Sequence, residues 1–262
     1  MMNNNEPVIK IRGLSKTFGL KTVLKGIDLD VYAGQIIGYI GPNGAGKSTT
    51  VKILLGVIDQ YHGSIEVLGE NIATNNGSYK YKVGYVPESG EIYDSLTAEE
   101  YLAFIGELYG MDTQHVEEKV LALMSIFGIE GSYHARISSF SKGMRQKLLI
   151  IASLMHNPDI IFFDEPLNGL DANSVIVFKE IMLSLAKEGK TIFYSSHIME
   201  VVEKISNRIV LINNGEIIAD GTFDQLKELS KKGSLEGVFN QLTGFDKHNE
   251  VAEQFVSVIK EV

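Results

Sequence analysis

The chain has 262 residues and a formal net charge of −9, with 24 Lys and Arg against 33 Asp and Glu. Hydrophobic residues make up 44% and charged residues 22%, a balance that is typical of a globular protein with a large core and excludes disorder for the bulk of the chain. An acidic chain without a basic stripe argues against nucleic acid as a partner, and the absence of cysteine excludes disulfides and thiolate metal sites. The longest apolar stretch, residues 148–155, is far shorter than the ~20 residues that span a bilayer.

The first third of the chain has the patterns of strands. Residues 8–14 and 23–31 alternate apolar and polar side chains, and with residues 64–68 they predict an N-terminal antiparallel β subdomain. Continuous apolar runs predict strands that are buried on both faces. These runs lie at Ile36–Ile40, Val83–Val86, 160–163, Thr191–Ser195 and 209–212.

Helical periodicity dominates the middle of the chain, at residues 98–109, 115–127 and 142–156. These segments predict an α-helical insert over about residues 87–158, between two buried strands. The alternation of strands and helices around the insert predicts an α/β fold whose core is a mostly parallel sheet with helices on both faces. The last forty residues, from Thr222, are amphipathic and charged and predict a C-terminal helical appendage.

A glycine-rich segment that fits the pattern G-x-x-x-x-G-K-[ST] follows the buried run Ile36–Ile40 and precedes a helical pattern at residues 49–57. Glycines let consecutive backbone N–H groups face phosphates, and the N-terminus of the helix adds partial positive charge. We expect Lys47 to reach the β- and γ-phosphates and Ser48 to bind Mg²⁺. The alternative, a simple turn before a helix, is disfavoured by this context. The predicted nucleotide-binding residues are Gly41, Pro42, Asn43, Gly44, Ala45, Gly46, Lys47, Ser48 and Thr49.

Polar residues also follow two other buried runs. Asp164 ends the run at 160–163 and is predicted to hold Mg²⁺ through water, while Glu165 points elsewhere and is predicted to polarise the attacking water. His197 follows Thr191–Ser195, where it could contact the γ-phosphate or that water. Alone, these would be solvated acids and a structural histidine, but the glycine-rich segment upstream favours the functional interpretation.

These motifs, together with residues 140–144 (Phe-Ser-Lys-Gly-Met), make the chain resemble the nucleotide-binding subunit of an ABC transporter over about residues 8–220. The resemblance implies a P-loop NTPase (RecA-like) fold, ATPase activity, and ATP and Mg²⁺ as cofactors. It assigns Lys47, Glu165 and His197 to catalysis. It also implies a cassette over residues 1–221, with residues 222–262 as the C-terminal appendage.

In this family two subunits face head to tail, and each ATP lies between the phosphate loop of one subunit and the signature loop of the other. The resemblance therefore implies that Ser141 and Gly143 contact ATP held by a partner, although Ser141 alone would indicate a helix N-cap. Phe18 matches the aromatic residue that stacks on adenine, with a half-buried strand residue as the alternative. Asp171 matches the D-loop and is implied to lie at the dimer interface.

The sequence departs from the family pattern at two places. Phe140, Lys142 and Met144 replace the Leu, Gly and Gln of the usual LSGGQ signature, and Glu88 replaces the Q-loop glutamine. A carboxylate at position 88 could still reach Mg²⁺ or water. Together with the tail at residues 234–244, Glu88 favours a bacterial exporter of drugs or peptides over an importer.

The resemblance also implies the partners: a second ATP-binding subunit, identical or different, and a separate polytopic membrane permease. The chain would then be cytoplasmic and lie peripherally on the inner face of the membrane. One alternative is a soluble ABC ATPase acting on ribosomes or nucleic acid, which the single set of motifs and the acidic composition disfavour. A second is a nucleotide-dependent binding module that has lost hydrolysis, which the intact Lys47 and Glu165 disfavour.

Overall fold

Two sheets organise the computed structural model, which describes residues 6–88, 92–230, 233–244 and 248–260. The strands are β1 Ile9–Phe18, β2 Lys21–Val31, β3 Ile36–Ile40, β4 His62–Val67, β5 Glu70–Asn71, β6 Val83–Val86, β7 Ile160–Asp164, β8 Thr191–Ser195, β9 Arg208–Asn213 and β10 Glu216–Gly221. The helices are α1 Lys47–Leu54, α2 Ala98–Leu108, α3 Thr113–Ile126, α4 Lys142–Leu154, α5 Ala172–Lys187, α6 Met199–Ile205, α7 Phe223–Ser230, α8 Leu235–Thr243 and α9 His248–Lys260.

The larger sheet has six strands in the order β10-β9-β3-β8-β7-β6. Its neighbours are parallel except for the pair of β10 and β9, which is antiparallel at the edge. The smaller sheet has the order β2-β1-β4-β5, and all its pairs are antiparallel. The predicted α/β P-loop NTPase fold, with a mostly parallel core and an antiparallel β part at the N-terminal side, is confirmed.

The chain order of the parallel strands decides where the site lies. β3, β8 and β7 are adjacent, so the segments that follow them leave the sheet at the same edge. The register pairs Asp164, the last residue of β7, with Ser195, the last residue of β8. Side chains that are far apart in sequence therefore meet at this edge.

Each face of the parallel sheet is covered by a separate hydrophobic cluster. One cluster joins the sheet to α1 and the antiparallel sheet, through residues such as Ile53, Ile11 and Phe162. The other joins the opposite face to helices α2 to α8, through residues such as Phe163 and Phe178. Alternate residues of β7 thus point into different clusters, as burial on both faces requires.

Helices α2, α3 and α4 lie between β6 and β7, where the sequence predicts a helical insert. Their starts are set by local capping: Thr97 forms a capping box with Glu100 before α2, and the Asp112 carboxylate accepts backbone N–H groups at the start of α3. Gly110 and Gly128 follow α2 and α3 with φ of 67° and 66°, which suits glycine C-caps. Helices α2 and α3 therefore start and stop where their sequence signals lie.

The C-terminal helices differ in how they contact the rest of the chain. Leu226 of α7 and Leu235 and Val238 of α8 are fully buried in the core cluster. The backbone N–H of Leu235 also donates to the Glu203 carboxylate at 3.0 Å, which joins α8 to α6. None of the helices in the described ranges combines the length and apolar character that crossing a bilayer requires.

Candidate nucleotide-binding site

A cavity of about 600 Å³ opens at the edge of the parallel sheet where β3, β7 and β8 end. The ends of these strands and the segments after them supply most of its lining, and the end of β1, the start of β2 and Glu88 after β6 supply the rest. The lining residues are Phe18, Lys21, Val23, Asn43, Gly44, Gly46, Lys47, Ser48, Thr49, Glu88, Asp164, Glu165, Ser195 and His197.

The loop between β3 and α1 can only be built with glycine at two of its positions. Gly46 has φ of 115°, and a Cβ there would lie 2.5 Å from the Leu24 side chain. A Cβ on Gly41 would collide with the Ile212 carbonyl oxygen. The loop therefore lies close against its neighbours and ends directly at the N-terminus of α1, the arrangement that presents backbone N–H groups to an anion.

Lys47 folds back over this loop. Its Nζ donates to the Gly41 carbonyl at 2.6 Å and to the Pro42 carbonyl at 3.3 Å. Burial lowers the pKa of Lys47, while Asp164, Glu165 and Glu88 raise it. A partly buried ammonium surrounded by carboxylates is suited to contact a phosphate, whose charge would replace the loop carbonyls as its partner.

The residues at the floor of the cavity fit Mg²⁺. The Ser48 hydroxyl donates to Asp164 Oδ2 at 3.3 Å, and hydroxyl and carboxylate oxygens are ligands that Mg²⁺ prefers. Burial raises the pKa of Asp164, and the nearby Glu88 raises it further. A divalent cation would offset that unfavourable concentration of negative charge.

Glu165 is held in an unusual backbone conformation beside Asp164. Its φ is 49°, in the left-handed region that L residues rarely adopt, and its side chain is buried. Burial raises the pKa of Glu165, which the neighbouring His197 partly counteracts. A carboxylate with a raised pKa is a suitable acceptor for a proton from water. His197 Nε2 lies 3.6 Å from Glu165 Oε1.

Phe18 reaches the cavity from the end of β1. Its side chain is 47% exposed, which leaves part of the ring open to the cavity. The Lys16 ammonium lies 4.7 Å from the ring centroid, and Lys16 is itself buried and donates to the Gln60 carbonyl oxygen. The ring is thus supported by a buried cation, and its stacking role stays a prediction.

Ser141 and Gly143 do not line this cavity. They lie at the start of α4, where the Ser141 hydroxyl accepts the Met144 N–H at 3.2 Å as an N-cap. A Cβ on Gly143 would lie 2.6 Å from the Gly169 carbonyl oxygen, so the start of α4 contacts the segment after β7. Within one chain, the structure separates these residues from the phosphate loop.

Asp171 also lies outside the cavity and begins α5. Its carboxylate accepts the Ser174 N–H at 2.9 Å and the Ser174 hydroxyl at 2.6 Å. Lys147 Nζ lies 3.4 Å from the same carboxylate. These contacts lower the pKa of Asp171, so the side chain is ionised and fixed on the surface of the molecule.

Sequence reasoning missed four residues of the site. Lys21 and Val23 line the cavity from β2, Ser195 lines it from β8, and Ser196 hydrogen-bonds to Glu165. The two serines could have been found, since they end a predicted buried strand directly before His197. Lys21 and Val23 carry no comparable signal, because only the tertiary fold brings β2 to the phosphate loop.

Comparison with known proteins agrees with this geometry. Residues 24–168 match the family described as ABC transporter. The chain is 36% identical over 218 residues to the ABC transporter ATP-binding protein NatA of Bacillus subtilis, which covers 82% of this chain and 88% of that protein. It is 34% identical over 226 residues to the bacitracin transport ATP-binding protein BcrA of Bacillus licheniformis, which covers 86% of this chain and 73% of that protein.

A solved structure of the ATP-binding subunit of an ABC transporter superposes with a TM-score of 0.85 and 30% identity, over 90% of this chain and 99% of that one. The family match includes the phosphate loop, Asp164 and Glu165. The structural match covers nearly the whole fold. The chain therefore belongs to the ABC transporter family, in which it is an ATP-binding subunit with ATPase activity.

Proposed function

We propose that this chain powers the export of a substrate through a separate polytopic membrane permease, by hydrolysing ATP between two facing cassettes. One observation carries the proposal: the cavity gathers Lys47, Asp164 and Glu165, whereas Ser141 and Gly143 lie elsewhere on the same chain. In a single chain, the phosphate loop lines the cavity and the signature loop does not. A second cassette, identical or different, would complete the site.

Within that site each side chain has a distinct task. Backbone N–H groups of residues 41–46, the α1 N-terminus and Lys47 bind the phosphates of ATP. Ser48 and Asp164 would hold Mg²⁺, with Glu88 nearby, and the ion would neutralise charge on the β- and γ-phosphates. Glu165 accepts a proton from the attacking water, and His197 contacts that water or the γ-phosphate. Phe18 stacks on adenine.

Export, rather than import, is supported by two features of the chain and one relative. Glu88 lines the cavity at the position of the family's Q-loop glutamine, and residues 234–244 resemble the tail of bacterial exporters. The similar protein BcrA is described as a bacitracin transport protein. The substrate of this chain would be selected by the permease.

The same proposal divides the chain into a cassette at residues 1–221, with its insert at about 87–158, and an appendage at 222–262. It places the chain on the cytoplasmic face of the membrane, through the permease. Asp171, ionised and fixed on the surface, would face the second cassette. The Glu88 region and the helical insert would transmit closure of the two cassettes to the permease.

Purification of the tagged chain from a detergent extract tests the proposal. We expect a polytopic membrane protein to co-purify in fixed proportion, and the complex to show ATPase activity that Glu165→Gln abolishes. Sedimentation of the chain with ribosomes, with no membrane protein in the detergent fraction, would instead favour the alternative of a soluble ABC ATPase. An active complex that resists Glu165→Gln would contradict the assignment of the base.

A further inference from the structure

Ser196 connects the end of β8 to the proposed catalytic carboxylate. It is 2% exposed, and its hydroxyl donates to Glu165 Oε2 at 3.1 Å. The backbone N–H of Ile198 donates to the same hydroxyl oxygen at 3.2 Å. Ser196 thus lies between the backbone that carries His197 and the carboxylate of Glu165.

The direction of the hydrogen bond between Ser196 and Glu165 follows from the donors and acceptors of the two groups. Serine has one proton to donate and two lone pairs that accept. The Ile198 N–H uses the hydroxyl oxygen as an acceptor, and an ionised carboxylate has no proton to donate, so the hydroxyl proton must point at the carboxylate. Ser196 therefore donates, and Oε2 of the ionised Glu165 accepts.

The other end of Glu165 is held as well. Its backbone N–H donates to the Ser195 carbonyl at 2.9 Å, and its φ is 49°. The backbone N–H of His197 also faces the Glu165 carboxylate. Oε1 is buried, makes no direct hydrogen bond among the described residues and lies 3.6 Å from His197 Nε2. The two carboxylate oxygens are therefore not equivalent.

We propose that Ser196 is a positioning residue that occupies Oε2 and leaves Oε1 as the atom that receives the proton during ATP hydrolysis. The inference rests on the proposed function, because it assumes that Glu165 is the base. In that step an O–H bond of water breaks and its proton moves to Oε1. The water oxygen forms a bond to the γ-phosphorus, and the bond from phosphorus to the bridging oxygen breaks with its electron pair remaining on ADP.

A purely structural Ser196 would have different consequences. If the hydroxyl only stabilises the backbone of residues 196–198, its removal would lower the stability of the protein and weaken nucleotide binding. It would have no selective effect on turnover. A positioning residue acts on kcat, since orientation of a general base contributes to the transition state and not to ground-state binding. The split between KM and kcat therefore separates the two roles.

Kinetics of the purified full-length chain and of its complex with the permease test the inference. The variants are Ser196→Ala, which removes the hydroxyl, Ser196→Thr, which retains it, and Ser153→Ala as a matched control. Ser153 is also buried, and its hydroxyl donates to the Ile150 carbonyl at 2.8 Å within α4, away from the cavity. The measurements are kcat, KM for ATP, and the lifetime of the ATP-bound dimer by size-exclusion chromatography.

We expect Ser196→Ala to lower kcat by about tenfold to a hundredfold, with KM within about twofold of the wild-type value and a longer-lived dimer. Ser196→Thr should recover most of the lost turnover, and Ser153→Ala should leave kcat unchanged. Wild-type kcat in Ser196→Ala, an equal loss in Ser153→Ala, or no recovery in Ser196→Thr would each overturn the inference.

Two further variants keep the test decisive. If Ser196→Ala fails to fold, Ser196→Cys keeps the side-chain volume but donates weakly, so a wild-type kcat in it would overturn the inference. Glu165→Gln separates this inference from the function on which it rests. Full activity in Glu165→Gln would refute the base itself, whereas an inactive Glu165→Gln beside a fully active Ser196→Ala would refute only the role of Ser196.

Discussion

At the scale of single residues, Glu165 has two features that are unfavourable for folding. A left-handed φ of 49° at a residue with a side chain costs about 1–3 kcal/mol. Burial also raises the pKa of its side chain, so keeping Glu165 ionised near neutral pH works against folding. Residues of this kind persist where the surrounding structure holds them for a chemical purpose.

Glu165→Gln should therefore raise the melting temperature of the nucleotide-free protein at pH 7.5. The raised pKa means that the folded state holds a carboxylate it disfavours above the unfolded pKa of about 4.3, and an amide removes that penalty. The gain should disappear as the pH falls below about 4, where the carboxyl becomes protonated in both states. Calorimetry checks this, with Glu107→Gln on the exposed part of α2 as the control, and a lower melting temperature for Glu165→Gln would contradict it.

Phe18→Ala should weaken ATP binding by roughly fivefold to thirtyfold, since stacking of a base on an aromatic ring contributes about 1–2 kcal/mol. Binding of inorganic tripolyphosphate should not change, because only the base is expected to contact Phe18. Titration calorimetry with both ligands measures the difference. Phe104→Ala on α2, a similarly exposed phenylalanine outside the cavity, is the control. Equal losses for both ligands would refute stacking.

At the scale of elements, the start of α4 and the segment between β7 and α5 form one packed unit. Gly143 approaches the Gly169 carbonyl so closely that a Cβ would lie 2.6 Å from it, and Gln146 Nε2 donates to the Pro166 carbonyl at 3.1 Å. This segment follows Glu165 directly. Movement of the start of α4 would therefore displace the segment next to Glu165, the proposed base.

Gly143→Ala should abolish ATP-dependent dimerisation while the monomer stays folded, because the added methyl group pushes the start of α4 away from Gly169. Size-exclusion chromatography with MgATP, in a Glu165→Gln background that slows hydrolysis, measures the dimer. Gly131→Ala is the matched control, since a Cβ there would meet no heavy atom within 4 Å. A normal dimer from Gly143→Ala would show that this approach is not required.

Elements with a strong local signal were predictable from the sequence. Ile36–Ile40 and Thr191–Ser195 are continuous apolar runs, and the structure has strands over these residues. Helix α1 begins at Lys47, two residues before the predicted helical pattern, because Gly46 is its N-cap residue. The edge strand Glu216–Gly221 was not predicted, since its alternation is weak and only pairing with β9 defines it.

The contacts within the site were less accessible to sequence reasoning. The types of residue at the ends of β3, β7 and β8 were predictable, because each follows a buried run. The pairing of Asp164 with Ser195, and the hydrogen bond from Ser196 to Glu165, depend on which strands are neighbours. Strand order depends on contacts between residues that are far apart in sequence, so a local sequence pattern does not predict it.

At the scale of the whole molecule, the C-terminal helices are not equivalent. Leu235 of α8 is fully buried against the main core, whereas Phe255 of α9 is 68% exposed. The chain after residue 221 therefore begins with helices that complete the core and continues with one that leaves apolar side chains accessible. Stability should depend on the first part far more than on the second.

Leu235→Ala should lower the free energy of unfolding by about 2–4 kcal/mol, because it removes a buried side chain from a packed cluster. Phe255→Ala should change it by less than about 0.5 kcal/mol, as is usual for exposed positions. Urea denaturation of both variants measures the difference. Similar losses in the two would contradict the packing of α8 against the core.

We expect the glycine-rich loop and Lys47 to bind the phosphates of ATP together with Mg²⁺. The most direct measurement is equilibrium binding of ATP to the purified chain, with Mg²⁺ present and with Mg²⁺ removed by a chelator, for the wild type and for Lys47→Ala. We expect saturable binding by the wild type that weakens by at least about tenfold without Mg²⁺ and by a similar factor in Lys47→Ala. If the wild-type chain did not bind ATP in a magnesium-dependent manner, the assignment of the glycine-rich loop and Lys47 to phosphate binding would be contradicted.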